Sequence, residues 1–576
     1  MSARSIVRRP VPEAPGLPSS LHPVLRRVYA ARGLGTAEDL DLRLAALLPV
    51  SSLDGVDAAV ELLLEHLERG SSVVIVGDYD ADGATSTALM VRQLRRLGFL
   101  RVDFCVPDRL RHGYGLTAGL VAEMNLAPPA LLVTVDNGVA AFAGIEAARA
   151  RGFDVLVTDH HLPAQELPAC NAMVNPNLRG AAFGSRALAG VGVAFYVMAA
   201  LTRRLESLRG ERLPAVAELL DLVALGTVAD VVPLDRNNRI LVQEGLRRAR
   251  ARRGIEGIRA LAHVAGRAVT QLGARDLGFG VAPRLNAAGR IDDMSIGIRC
   301  LLADDPAQAL ALAGQLDRIN VERREMEEKM RGEAVELVRR LRIEEGSLPA
   351  GLALFDPAWH PGIVGLVASR IKERLHRPVV AFAPAGDGEL RGSARSVAGV
   401  HVRDVLEAID VREPGLMLRY GGHAMAAGLS LDERRLARFK AAFAEEVGRW
   451  LSPSQMRGVI DSDGELAPVE IALDTARALA EGGPWGQGFP EPLFDGEFEV
   501  VESRVVAQRH LKLWARASRE AKPIEAIAFG HFDAPQAPTP RAGERVRLAY
   551  RLDVTEFGGT PRPELKLDLV EPLPPR

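Results

Sequence analysis

The residues able to do chemistry stand in three groups. Gly77-Asp78-Tyr79-Asp80-Ala81-Asp82-Gly83 sets three carboxylates at alternate positions directly after the β-branched run 73–76. Asp136 follows a second apolar run in Val135-Asp136-Asn137-Gly138, and Asp159-His160-His161 follows a third at 155–157. One Asp-x-Asp-x-Asp-Gly stretch alone reads as a turn or a calcium loop. A calcium loop needs Glu at its twelfth position, and counting from Asp78 that place is Leu89. Carboxylates crowded together raise one another's pKa or demand a cation. Hard oxygens with one or two imidazoles suit Mg2+ or Mn2+, and a bridging acid suits two ions. Two such ions activate a water and stabilise the leaving oxygen of a phosphoryl displacement. The residues alone therefore read as a two-metal phosphoesterase or pyrophosphatase.

An element pattern must bring those groups together. Apolar runs at 73–76, 102–106, 131–135 and 155–157 alternate with helix-like segments, the first at about 84–97. Alternation of this kind implies βαβ units and a parallel sheet covered on both faces. Ligands of open α/β sheets sit beyond the carboxyl ends of the strands, and all three acidic groups follow a strand. Asp304-Asp305-Pro306 reads as a helix start, and the helix-permissive, charge-dense stretch to 345 reads as a long connector. A second α/β pattern follows, with strands expected at 352–355 and 379–382. Beyond 451 short strands and frequent turns suggest a small β-barrel or sandwich.

The division expected is an N-terminal segment (1–50), a catalytic α/β domain (51–305), a connecting helix (306–345), a smaller α/β domain (346–452) and a C-terminal barrel (453–576). The length of 576 residues fits several domains. Apolar residues at 47% and charged residues at 25% exclude a disordered chain. The longest nearly uncharged stretch, 190–202, is too short to span a membrane. No signal peptide is recognisable, and Cys105, Cys170 and Cys300 are too few and too scattered for a zinc site or a disulfide framework. A cytoplasmic protein is expected. Net charge is only −2, yet residues 236–300 hold 13 Arg against five acids. The preference for Arg over Lys fits a GC-rich genome; its clustering hints at a polyanion partner.

At this point the sequence resembles a known family. Asp159-His160-His161 with Asp80-x-Asp82 is similar to the mark of the DHH phosphoesterases. Five further stretches resemble their RecJ branch: Pro107-Asp108-Arg109, His112-Gly113-Tyr114-Gly115-Leu116, Gly226-Thr227-Val228-Ala229-Asp230, Pro283-Arg284-Leu285-Asn286-Ala287-Ala288-Gly289-Arg290 and Trp359-His360-Pro361-Gly362. Gly421-Gly422-His423 resembles the motif of the family's DHHA1 domain. Pro484-Trp485-Gly486-Gln487-Gly488-Phe489 and His510-Leu511-Lys512-Leu513 resemble its OB-like domain. The resemblance runs in order from about residue 50 to the end.

The resemblance implies an exonuclease that degrades single-stranded DNA from its 5′ end and releases mononucleotides without a covalent enzyme intermediate. It implies two divalent ions, Mn2+ or Mg2+. Asp78 and Asp80 would hold one, Asp82, His160 and Asp230 the other, and Asp136 would bridge. Some relatives carry a His where this chain has Val76, and Asp78 takes its place. Asp159 would orient a histidine, and His161 would touch the scissile phosphate or leaving group. Arg109, Arg284, Asn286 and Arg290 would line the substrate path. In the DHHA1 part, His360, a phosphate-binding loop with Ser393 and Arg395, and the glycine loop with Gly422 and His423 would hold the strand near its 5′ phosphate. Single-strand preference would come from a narrow channel between domains. Tyr114, Phe279, Trp359 and Trp485 are available for stacking, although burial in a core is the expectation for each. Implied partners are a single-stranded-DNA-binding protein and a RecQ-type helicase, in DNA repair and recombination. Smaller DHH proteins that cleave short RNA, cyclic dinucleotides or pyrophosphate lack the C-terminal domain expected here. Scaffolding relatives lose metal ligands, and this chain has them all.

Overall fold

The computed structural model describes residues 5–109, 111–345, 348–397, 399–422, 424–451, 458–533, 537–556 and 559–574. It divides into two compact units, one of residues 8–319 with 461–576, the other of 1–7 with 320–460.

The first unit is built on a five-stranded sheet. In spatial order its strands are Val102–Cys105, Ser72–Val76, Ala130–Val135, Asp154–Thr158 and Ala172–Val174, every neighbouring pair parallel. Both faces are covered, which is why the strands read as continuous apolar runs. Val73, Ile75, Leu131, Val133 and Leu156 face one core, with side chains of helices Val56–Glu68, Ala81–Arg96 and Gly190–Arg209. Leu132, Val155 and Val157 face the other, under Leu120 and Val121 of helix Ala118–Glu123 and Ile145 and Ala148 of helix Phe142–Ala150. The fifth strand, three residues long, gave no recognisable run in the sequence.

Five strands of the same unit close into a barrel: Phe494–Val506, His510–Arg516, Ile524–Ala528, Arg562–Pro572 and Arg545–Thr555. The N-terminal segment packs within this unit rather than standing apart. Arg32 donates to both carboxylate oxygens of Asp463, at 2.7 and 3.0 Å, and the Tyr29 hydroxyl donates to the Gly482 carbonyl at 2.8 Å.

The second unit holds a mixed sheet in the order Arg419–Gly422, Ala426–Asp432, Glu389–Arg395, Val379–Gly386, Leu352–Phe355; only the last pair is parallel. Residues 392–396 were expected as a phosphate-binding loop. Residues 389–395 are instead an interior strand with alternating burial, Leu390, Gly392 and Ala394 inward. The period of two that buries those three places Ser393 and Arg395 together on the opposite face.

Pro306–Glu345 forms one helix of 40 residues, about 60 Å at ~1.5 Å per residue. Ala309, Ala313, Leu316 and Ile319, spaced as one helical stripe, join the core of the first unit.

Candidate active site

The catalytic sheet offers one topological switch point. From strand Ser72–Val76 the chain moves to one neighbour, Val102–Cys105, then returns to the other side at Ala130–Val135. The crevice at the carboxyl ends of the strands opens where that reversal occurs. Asp78 and Asp80 leave the first strand there, Asp136 the third, and Asp159-His160-His161 the fourth.

Local hydrogen bonds fix each group. Asp80 caps helix Ala81–Arg96, its Oδ1 accepting the Asp82 and Gly83 amides at 2.9 and 3.0 Å. That cap starts the helix at residue 81, three residues before its sequence-expected start. Asp82 lies at the N-terminus of helix Gly190–Arg209, accepting the Gly190 and Val191 amides at 2.6 and 3.0 Å. Helix N-termini favour such anions. A Cβ on Gly190 would come within 2.6 Å of the Asp136 Cβ, so glycine lets the helix approach this closely. Asp136 itself has φ 60°, a left-handed conformation, and non-glycine residues held there cluster at functional sites. The next residue, Asn137, ties the region together by donating to the Val76 and Val135 carbonyls at 3.0 and 2.9 Å.

Ligand-capable atoms converge in three overlapping groups, each within 4.8 Å: Asp78, Asp80 and Asp136; Asp82, His160 and Asp230; Asp136, His160 and His161. Asp136 thus belongs to two of the three groups, one with Asp78 and Asp80 and one with the two histidines. His160 Nε2 lies 3.0 Å from Asp136 Oδ1 and 3.5 Å from Asp230 Oδ2. Both oxygens are buried and accept no hydrogen bond among the described residues. Burial, then the charge of Asp80, pushes the Asp78 carboxyl well above the usual range and carries Asp82 up to about 7. Burial, then Asp82 and Asp80, also raises Asp136 and Asp230 well above it. Crowded, dry, hard oxygens of this kind fit divalent cations, which remove both the repulsion and the missing hydrogen bonds.

Beside this cluster the acidic and basic tendencies reverse. Asp159 Oδ1 lies 2.7 Å from His161 Nδ1, and its Oδ2 accepts the Val139 amide at 2.8 Å. Burial would raise Asp159, but the bond to His161 and that ring's charge outweigh it and hold the carboxyl low. Burial would likewise lower His161, and Asp159 outweighs it, raising the imidazole to about 9. An aromatic row continues outward. The Tyr114 hydroxyl donates to the Asp136 carbonyl at 2.9 Å, and its ring meets His161 and Tyr79 edge-on at 5.9 and 6.1 Å. The Arg109 guanidinium lies 5.0 Å from the Tyr79 ring centroid.

Two residues that the sequence reading passed over hold the Asp159-His160-His161 loop. Asn177 donates to the His160 carbonyl at 2.6 Å and Asn175 to the His161 carbonyl at 2.9 Å. Their only signal was Asn175-Pro176-Asn177 following the unrecognised fifth strand.

The remaining expected site residues fall differently. Arg284 is buried, donating to the Gly280 and Val264 carbonyls and pairing with Asp317 at 2.8 Å, so its fork is turned into the fold. Asn286 accepts the Ala81 amide at 2.8 Å and props the acidic loop. Arg290 is half-buried in the last turn of the same helix, Ala282–Ile291. His360, Ser393, Arg395 and Gly422 belong to the second unit. His360 Nδ1 accepts the Gly362 amide at 3.1 Å just before helix Val364–Leu375, and Arg395 donates to Ser393 Oγ at 2.8 Å. Gly422 ends an edge strand, and His423 lies outside the described residues. The basic stretch 236–300 is neutralised only in part. Arg236, Arg247, Arg259, Arg267, Arg275 and Arg284 each pair with an acid. The buried Arg239 lies 4.5 Å over Phe489. Trp359 is buried as expected, whereas Phe279 is 80% and Tyr114 49% exposed.

Comparison with known proteins follows the same lines. Family models described as the DHH family N-terminal domain, the DHHA1 domain and the RecJ OB domain match residues 72–227, 349–449 and 462–568. The chain is 53% identical over 571 residues to the single-stranded-DNA-specific exonuclease RecJ of Dickeya dadantii, covering 98% of this chain and 99% of that one. It is 50% identical over 572 residues to the protein of that name from Escherichia coli, with coverage of 98% and 99%. Among solved structures, RecJ of Thermus thermophilus in complex with Mn2+ superposes with a TM-score of 0.79 at 33% identity, over 99% of this chain and 80% of that one. The same protein with Mg2+ gives 0.74 at 32% identity, over 99% and 78%.

Proposed function

The chain belongs to the RecJ family of DHH phosphoesterases, and from that premise we infer a metal-dependent exonuclease specific for single-stranded DNA, which removes mononucleotides from the 5′ end. One observation carries the chemistry: Asp136 belongs to two ligand groups, with Asp78 and Asp80 in one and His160 and His161 in the other, the ligand atoms of each lying within 4.8 Å of one another. Asp78, Asp80 and Asp136 would hold one divalent ion, Mn2+ or Mg2+, and Asp82, His160, Asp230 and Asp136 a second. When bound, the two ions supply the charge that activates a water and stabilises the leaving oxygen.

The chain's own groups do the rest. Asp159 fixes the His161 ring and, in the metal-free protein, raises it so that it carries a proton at neutral pH. Tyr114 anchors the strained Asp136 backbone and limits the movement of His161. Arg109, stacked on Tyr79, presents its planar fork to a phosphate. Ser393 and Arg395, on one strand face, with His360, Gly422 and His423, take the phosphate end of the strand and impose 5′ polarity.

The family resemblance further supports a cytoplasmic role in DNA repair and recombination, beside a single-stranded-DNA-binding protein and a RecQ-type helicase. The division at residues 50, 305, 345 and 452 belongs to the same reading. The test is a single-stranded oligonucleotide labelled at either end, in Mn2+ or EDTA, with Asp136→Ala alongside. Metal-dependent release of mononucleotides from the 5′ end, absent in the variant, is expected. Cleavage confined to oligomers of a few nucleotides would overturn the exonuclease assignment.

A further inference from the structure

Helix Ala282–Ile291 is entered through a π-helical turn, Leu277–Val281, and Phe279 stands at the centre of that turn with 80% of its surface exposed. A single exposed apolar side chain needs no explanation by itself. This one differs in where its neighbours lie. From residue 279 to 290 the positions that are not buried are 279, 283, 286 and 290, one stripe along the turn and helix. Asn286, on that stripe, accepts the Ala81 amide between Asp80 and Asp82. Phe279 precedes it by seven residues, about 10 Å along a helix at ~1.5 Å per residue. On the other side, a Cβ on Gly278 would touch Val228 Cγ1 at 3.1 Å, and Val228 lies two residues before Asp230. The phenyl ring is therefore tied through its own backbone to both walls of the carboxylate cluster. Arg267 packs against the residue that follows Phe279, Gly280. A Cβ on Gly280 would lie 3.6 Å from the Arg267 Nε, and that guanidinium is half exposed and lightly held by Asp276 at 3.3 Å.

We propose that Phe279 is a base-stacking subsite for the single strand, holding a nucleotide upstream or downstream of the scissile bond while Arg267 faces the adjoining phosphate. The proposal rests on the single-stranded-DNA reading above and adds a contact that carries length preference. An aromatic face takes any base, so it binds the strand without reading its sequence. The π-turn has a role here, since a single π-turn shifts the side-chain register by one and such turns recur at functional sites.

The test uses the full-length protein and a 20-nucleotide single strand with 2-aminopurine at one of the first eight positions from the 5′ end. Binding is measured in EDTA, cleavage in Mn2+, for wild type, Phe279→Leu and Phe279→Trp. Wild type should quench the probe at one or two adjacent positions. Phe279→Leu should abolish that quench and raise KM for the 20-mer about tenfold. It should leave kcat for a dinucleotide, which has no base beyond the cleaved nucleotide and its neighbour, within about twofold. Phe279→Trp should keep the quench and the KM. Because Phe279 is exposed, none of these changes threatens folding. Quenching and KM identical in wild type and Phe279→Leu would overturn the subsite alone. A wild-type protein that neither binds nor cleaves the 20-mer would overturn the single-strand reading and this proposal with it.

Discussion

His161 Nδ1 lies 2.7 Å from Asp159 Oδ1, and the same carboxylate is fixed by the Val139 amide at its other oxygen. The imidazole is thus oriented by a group that has no freedom to follow it. Asp159→Asn keeps the shape and removes the charge. It should lower kcat about 100-fold, the upper range for a group acting from behind the reacting residues, with KM for single strands little changed. A fall in affinity without a fall in kcat would show that His161 binds rather than assists.

The same pair sets a pH window. His161 is raised to about 9 in the folded protein, above an unfolded value of ~6.5. Its stabilisation is therefore full below ~6.5 and lost as pH rises through about 9. Asp159 is lowered, so its share is present above the ordinary carboxylate range and lost as pH falls through its folded value. In EDTA, the melting-temperature gap between wild type and His161→Gln should be widest at about pH 5–6.5 and close by about pH 10. A gap independent of pH would contradict the ion pair.

Metal should reverse the opposite tendency in the acidic cluster. Asp82 is carried to about 7 by burial and then by Asp80. A carboxyl raised on folding destabilises the metal-free protein increasingly as pH climbs from about 4 through about 7. Mn2+ should therefore raise the melting temperature more at pH 8 than at pH 5.5. Calorimetry in buffers of different ionisation enthalpy should show protons released on Mn2+ binding at pH 6 and few at pH 9. Binding without proton release at pH 6 would mean that the carboxylates are already ionised.

Gly289 shows how tightly the acidic loop is packed. A Cβ there would meet the Tyr79 carbonyl oxygen at 1.6 Å, and Tyr79 lies between Asp78 and Asp80. Gly289→Ala should displace the loop, costing about 1–3 kcal/mol of stability and most of the activity. Gly332, in the long helix with nothing within 4 Å of its added Cβ, is the control. Gly332→Ala should gain about 0.4–1 kcal/mol with activity intact. Equal behaviour of the two would show that the loop tolerates movement.

What the sequence disclosed follows from what each signal measures. Four parallel strands were legible because burial on both faces makes their residues uniformly apolar. The strand Ala172–Val174 was not, because three residues carry no period, and with it Asn175 and Asn177 were missed. The acidic groups were legible because each stands directly after such a run. Motif identity gives no side-chain direction, and so nothing in the sequence shows that the Asn286 oxygen accepts the Ala81 amide. The Arg-rich stretch was legible as charge but not as placement. Charge counted along the chain ignores Glu38, Glu491 and Asp317, which come from outside the window and pair with three of its arginines. Ser393 and Arg395 sit in a stretch rich in small residues that reads as a loop, and only the alternation around Leu390, Gly392 and Ala394 marks it as a strand.

Arg284 and Arg109 set a structural guanidinium against a proposed substrate contact. The side chain of Arg284 is only 10% exposed, and its two terminal nitrogens are taken by the Gly280 and Val264 carbonyls and by Asp317. Removing it leaves two carbonyls without their donor and the part-exposed Asp317 without its ion pair, a loss of about 1–3 kcal/mol for buried polar groups left unpaired. Arg284→Ala should therefore lower the melting temperature sharply, while the fraction that stays folded keeps its KM for single strands. Arg109 is half-buried against the Tyr79 ring, at the open end of the aromatic row. Arg109→Ala should leave the melting temperature within a degree or two, since surface changes are usually worth less than about 0.5 kcal/mol. It should raise KM several-fold, more steeply at low salt, where a phosphate contact counts most. The opposite pairing, a KM effect from Arg284 and a stability effect from Arg109, would exchange their roles and place the strand along the inner face of helix Ala282–Ile291.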